Sequence, residues 1–216
     1  MLRILLVRHG QTDWNAVGRN QGTADIELDE TGLRQSEQLA EALSEFEISA
    51  IYTSDLKRAS STAQAVAMRS SALVISEPLL RERGYGEWEG LTGEEIEATN
   101  RDGLVEYRRD PTLNAPPGGE TGLDLFARAG YFLVKMLSEH ESGSVVVVSH
   151  GGTIANLFAA LLHASPSTAN TFRIFNCSIT ELIIRDNRRR IIVRYNDISH
   201  LNPKPLDHTF AGSAAN

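Results

Sequence analysis

The chain has 216 residues and a formal net charge of −7, with 41% hydrophobic and 23% charged residues. That is the composition of an ordinary globular chain, and it excludes a disordered or fibrous one. The acidic balance argues against nucleic acid or anionic lipid as a partner, and no apolar run approaches the roughly 20 residues of a membrane span.

In chain order, the first short apolar, β-branched run, residues 4–7, is closed by Arg8-His9-Gly10. It follows Met1-Leu2-Arg3 directly, without a small-residue cleavage site. Leu39, Ala40, Leu43 and Phe46 then recur with helical period, ahead of a strand at 48–52. A second helix carries Ala59, Ala63, Val66 and Ala67, and a strand follows at 73–75. Residues 80–90 mix glycine, aromatics and carboxylates and read as a loop. Residues 92–120 are polar and broken by Gly103, Pro111, Pro116 and Pro117, which predicts a partly helical insertion or lid. Phe126, Ala129, Leu133, Met136 and Leu137 mark a third helix, followed by a strand at 145–148 that is apolar on both faces. Ile154, Leu157, Phe158, Leu161 and Leu162 give the cleanest helical spacing, and strands at 179–184 and 191–195 end the pattern. Strands alternating with helices imply an α/β fold, a three-layer sandwich with a mainly parallel central sheet, helices on both faces and a small helical lid. Neither repeats nor a Gly/Ser linker interrupt it, so one domain over residues 1–216 is expected, with a tail from about 202.

In such sheets ligands bind beyond the carboxyl ends of the strands. Two strands end there on a histidine: His9 within Arg8-His9-Gly10, and His150 within Ser149-His150-Gly151-Gly152. The glycines let backbone approach a ligand, and the helix that starts near Thr153 aims N–H groups at an anion, so the chemistry suggested is phosphate binding. Because side chains alternate along a strand, Arg8 and His9 share a site only if the strand is already ending there. Arg58 lies at a third strand-to-helix junction, where a solvated arginine is the plainer reading. Cys177 stands alone, so neither a disulfide nor a cysteine-based metal site forms, and a reducing cytoplasm is expected. His140, His163, His200 and His208 are scattered and read as structural or exposed; neither metal nor cofactor is expected.

Together these residues resemble the histidine phosphatase superfamily, in the branch of cofactor-dependent phosphoglycerate mutases and small phosphomonoesterases. The segments that carry the resemblance run in family order from residue 4 to 179. They are Leu6-Val7-Arg8-His9-Gly10-Gln11-Thr12-Asp13-Trp14-Asn15, Gly18-Arg19-Asn20-Gln21-Gly22, Ser54-Asp55-Leu56-Lys57-Arg58-Ala59, the 80–90 loop, Pro117-Gly118-Gly119-Glu120-Thr121, Val148-Ser149-His150-Gly151-Gly152 and Asn176-Cys177-Ser178-Ile179. Arg83-Gly84, Thr121 and Ala155 depart from the usual pattern.

The resemblance implies that His9 attacks phosphorus and that Arg8, Arg58 and His150 hold the phosphoryl oxygens. Asn15, Gln21, Gly22 and the Gly151 N–H would be further contacts, and Glu82 would be the proton donor and then the base. Arg108 and Arg109, in Glu106-Tyr107-Arg108-Arg109-Asp110, would reach a substrate carboxylate, and a solvated helix end is an equally good reading of them. The partner implied is a small phosphorylated metabolite such as phosphoserine, a sugar phosphate or a phosphoglycerate, and a homodimer is the assembly relatives often adopt. A metal-independent phosphatase is the expected activity. A phosphoglycerate mutase, or a non-catalytic relative that binds a phosphorylated ligand, are the alternatives, and the short insertion between Gly90 and Gly118 favours hydrolysis.

Overall fold

The structure, a computed structural model, describes residues 1–203; His208 and most of the expected tail lie outside the described residues. Among the described residues six strands form one sheet: β1 (Leu2–Arg8), β2 (Ile48–Thr53), β3 (Leu73–Ser76), β4 (Gly143–Ser149), β5 (Ile179–Ile184) and β6 (Arg190–Asp197). Their order is β3-β2-β4-β1-β5-β6. The first four are mutually parallel, whereas β5 runs antiparallel to β1 and β6 antiparallel to β5. The sheet is therefore mostly parallel, with an antiparallel hairpin at one edge.

Among the described residues seven α-helices accompany it: α1 (Asp13–Ala16), α2 (Glu30–Leu43), α3 (Lys57–Ala67), α4 (Gly93–Thr99), α5 (Arg101–Arg109), α6 (Gly122–Glu139) and α7 (Gly151–Leu161). Strand alternation sorts the core into two layers. Ile4, Leu6, Tyr52, Val145 and Val147 pack with Phe132 and Met136 of α6 and Ile154 and Leu157 of α7. Leu5, Val7, Ile51, Val146 and Val148 face the other way, onto Leu39 and Leu43 of α2 and Ala59, Ala63 and Val66 of α3. A strand such as β4 thus buries successive side chains on opposite faces, which is why its sequence is continuously apolar.

The apolar period marked only the second half of α2. Its first half buries Gln35 and Ser36, polar side chains that break the period, and Gln35 Oε1 accepts the Gln11 N–H at 2.9 Å. Phe46 falls beyond the last turn, which closes with the Ser44 N–H donating to the Glu41 carbonyl.

Within 92–120 the structure forms α4 and α5, and Trp88, Ile96 and Leu104 make a small apolar cluster of their own with Tyr85, Leu91 and Tyr107. Arg83 clamps this segment to the body. Only 5% exposed, it donates to the carbonyls of Pro111, Asn114 and Glu120 and to the Tyr107 hydroxyl, and lies 4.9 Å over the Tyr107 ring. Truncation to alanine takes the donor from the Asn114 and Glu120 carbonyls, at about 1–3 kcal/mol for each one left unsatisfied, whereas the Pro111 carbonyl keeps the Gly122 N–H. Amides of 107–120 in Arg83→Ala should exchange hydrogen at least tenfold faster, while β1 and β4 keep their protection. Uniform loss of protection would show that Arg83 holds the whole fold instead.

Candidate active site

The pairing of β1 with β4 sets Arg8 opposite Ser149, so the residues that follow, His9 and His150, leave the sheet side by side. Their ring centroids are 5.1 Å apart. Because β1 ends at Arg8, the alternation that would have parted Arg8 from His9 stops in time. Gly10 is required by its neighbours, since a Cβ there would lie 2.5 Å from the Gly32 carbonyl oxygen of α2.

The hydrogen bonds fix both histidine tautomers. His9 Nδ1 lies 2.7 Å from the Gly10 carbonyl, which can only accept, so Nδ1 carries the proton and Nε2 keeps its lone pair. His150 is the mirror case: Arg58 Nε donates to its Nδ1 at 3.2 Å, so the proton sits on Nε2. His150 Nε2 and Arg8 Nε are both buried and without acceptor among the described residues. Arg8 is held in place from its other end, by Nη1 donating to the Ile174 carbonyl at 2.7 Å.

Arg58, which the sequence alone would leave in solvent, is fully buried. Its guanidinium also donates to the carbonyls of Gly22 and Ala24, tying the 18–24 loop to the first turn of α3. Burial pulls its pKa down to about 10 and lowers that of Arg8. Burial first, then the adjacent Arg58 guanidinium, hold both His9 and His150 well below the usual imidazole range, so both rings are neutral at pH 7.

Glu82 sits on the N-terminus of α7. Its Oε2 accepts the Gly152 N–H at 3.0 Å, and Oε1 accepts the Arg83 and Thr153 N–H groups at 2.8 and 3.2 Å. This corrects the expectation that the start of this helix presents its N–H groups to a bound anion: Glu82 takes two of them. Gly152 makes the approach possible, since a Cβ there would stand 2.7 Å from Glu82 Oε1.

Arg8, His9, Asn15, Gln21, Gly22, Arg58, Glu82 and Gly151 line one cleft of about 320 Å³. Asn15 Oδ1 is taken by the Thr12 N–H and by Asn176 Nδ2, which leaves its amide NH2 as the donor on offer. Arg108 and Arg109 part company, as successive residues on a helix must. Arg108 lines the adjoining cavity, whereas the Arg109 side chain is 76% exposed and pairs with Glu106, so it does not reach the site. Glu89, the other buried-edge acid of the 80–90 loop, accepts from Thr23 and from the Tyr85 N–H and is a loop fastener.

Sequence reasoning missed two positioning side chains. Arg128 of α6 donates to the carbonyls of Leu79, Arg81 and Glu82 and so fixes the turn that carries Glu82. It is one arginine on an amphipathic helix, with nothing in its surroundings in sequence to mark it. Asn176 donates to the His9 carbonyl at 2.9 Å as well as to Asn15. Its motif was visible, but not its contact.

Histidines held neutral by burial carry a stability consequence. His9, His150 and His200 all have folded pKa values below the ordinary 6.5. Below that pH the unfolded chain binds protons that the folded one does not, so stability is present above pH 6.5 and is lost as pH falls through it. The urea midpoint should drop between pH 7.5 and 5.5; a midpoint that holds or rises would contradict neutral burial.

Among the described residues no group of three or more His, Cys, Asp or Glu side chains is placed to hold a metal ion, and no helix is long and apolar enough to cross a membrane. A family model, the histidine phosphatase superfamily (branch 1), matches residues 4–198. The chain is 36% identical to phosphoglycerate mutase-like protein 4 of Arabidopsis thaliana, over 92% of this chain and 86% of that one. It is 33% identical to phosphoserine phosphatase 1 of Hydrogenobacter thermophilus, over 93% and 95%. The solved structure of a mycobacterial glucosyl-3-phosphoglycerate phosphatase with VO3 superposes with a TM-score of 0.82 at 35% identity, covering 90% of this chain and 98% of that one.

Proposed function

Because the chain belongs to the histidine phosphatase superfamily, branch 1, we propose that it hydrolyses a small phosphomonoester through a phosphohistidine formed at His9. The observation that carries this reading is the pair of buried donors without acceptors, Arg8 Nε and His150 Nε2, beside an imidazole whose Nε2 lone pair is free. A phosphoryl group answers all three: its oxygens accept from the donors and its phosphorus accepts the lone pair.

In the first half-reaction His9 Nε2 attacks phosphorus, the ester P–O bond breaks, and the departing alkoxide takes a proton from Glu82. Arg8 and Arg58 supply the positive charge that a phosphoryl dianion requires, and the neutral N–H groups of His150 and the Asn15 amide add hydrogen bonds to its oxygens. In the second, water attacks the phosphohistidine, Glu82 takes the water proton, and the P–N bond breaks to release inorganic phosphate. Names among the relatives support a phosphorylated small-molecule substrate, in which a carboxylate could meet Arg108.

A mutase would use the same residues and return the phosphoryl group to a sugar acid. Residues 91–117 form only the two short helices α4 and α5, little covering with which to keep water from a phosphoenzyme. The test supplies 3-phosphoglycerate with and without catalytic 2,3-bisphosphoglycerate and follows inorganic phosphate and 2-phosphoglycerate together. Phosphate release without isomerisation is expected. Rapid bisphosphoglycerate-dependent isomerisation with negligible phosphate would overturn the hydrolytic reading.

A further inference from the structure

Beside the phosphoryl cleft lies a larger cavity of about 670 Å³ that shares Arg8, Tyr85, Gly151 and Gly152 with it. Its floor is one face of α7, where Gly152, Ala155 and Asn156 follow at i, i+3 and i+4. Asn156 is the polar group on that floor. It is 6% exposed, its Nδ2 donates to the Gly152 carbonyl at 2.9 Å, and its Oδ1 has no partner. Chemistry fixes the orientation, because turning the amide over would press two oxygens together. The atom left for the cavity is therefore an acceptor, buried, in want of a donor.

Attack at phosphorus asks nothing of Asn156. It stands one turn beyond Gly152, about 6 Å along the helix, where the far part of a leaving group anchored in the phosphoryl cleft would pass. The donor it meets is a neutral one: Arg8, Arg83, Arg108 and Arg173 line this cavity and no carboxylate does, so an ammonium group is repelled. We infer that Asn156 is a specificity-determining residue, whose Oδ1 accepts a hydrogen bond from a hydroxyl of the leaving group, and that the substrate class is a phosphomonoester of an extended polyol. This inference rests on the phosphatase reading and adds which leaving group the site selects.

The test compares esters of matched length: a hexitol phosphate esterified at its terminal carbon, n-hexyl phosphate and aminohexyl phosphate, with p-nitrophenyl phosphate as a report on the phosphoryl site. The parent enzyme should prefer the hexitol ester over the hexyl ester. In Asn156→Ala and Asn156→Ser that preference in kcat/KM should fall about tenfold, the scale of one buried hydrogen bond, mostly through KM. Asn156→Asp should bring in the aminohexyl ester, which the parent refuses. Equal loss on hexitol and hexyl esters would assign Asn156 a structural role, and a parent indifferent to the hydroxyls would likewise overturn the inference while hydrolysis of p-nitrophenyl phosphate leaves the phosphatase reading standing. An enzyme inactive on every ester overturns that reading, and the inference falls with it.

Discussion

His9→Ala should lose about 10⁴-fold or more in turnover and yet still bind inorganic phosphate within about tenfold of the parent. The two effects separate because the lone pair of Nε2 makes the new bond, while Arg8 Nε, His150 Nε2 and the Arg58 guanidinium hold the oxygens. Removal of the ring also leaves the Gly10 carbonyl without its partner, so some stability is lost as well. Chelation of divalent ions should change neither parent nor variant, since the charge on the oxygens is met by arginine and imidazole N–H groups. A residual rate within tenfold of the parent would show that phosphorus is attacked by something else. Full sensitivity to a chelator, restored by a divalent ion, would contradict the mechanism as a whole.

Glu82→Gln should separate substrates by leaving group. For alkyl phosphates kcat/KM should fall about 10²- to 10⁴-fold, the range for general acid–base help. For p-nitrophenyl phosphate, whose nitrophenolate leaves as a stable anion, the loss should stay within about tenfold. The comparison belongs to kcat/KM because that ratio ends at formation of the phosphoenzyme, before the water step that Glu82 also serves. Glu89→Gln provides the contrast, since its carboxylate fastens Thr23 and Tyr85, and any loss there should be the same for both ester types. Selective loss at Glu89, or equal small losses at Glu82, would move the proton donor elsewhere in the 80–90 loop.

The parts of the site legible in the sequence were those tied to strand ends. His9 and His150 could be read because apolar runs stopped on them, but not the β1–β4 register that sets them side by side, since two strands apolar on both faces carry no alternation to fix it. Arg58 was legible only through resemblance, because nothing local says that its guanidinium turns inward onto the Gly22 and Ala24 carbonyls. Glu82 could be placed in its loop, but its seat on the Gly152 and Thr153 N–H groups is a contact across seventy residues. Periodicity failed where a buried face is polar, as at Gln35 and Ser36 of α2. It also failed to join Arg83 and Arg128 to the site, since each acts through backbone carbonyls that no side-chain pattern encodes. The two arginines Arg108 and Arg109 looked alike in sequence and part in the structure by the turn of a helix.

The phosphoenzyme itself offers the most direct test. Parent enzyme mixed with a phosphomonoester labelled in its phosphoryl group, quenched with base within one turnover, and digested at alkaline pH should yield one labelled peptide, carrying His9 and losing its label in acid. With labelled p-nitrophenyl phosphate, Glu82→Gln should accumulate more of that species, because its formation is little affected while the water step is slowed. Label on a peptide that lacks His9, or turnover with no labelled protein at any quench time, would contradict covalent catalysis at this imidazole.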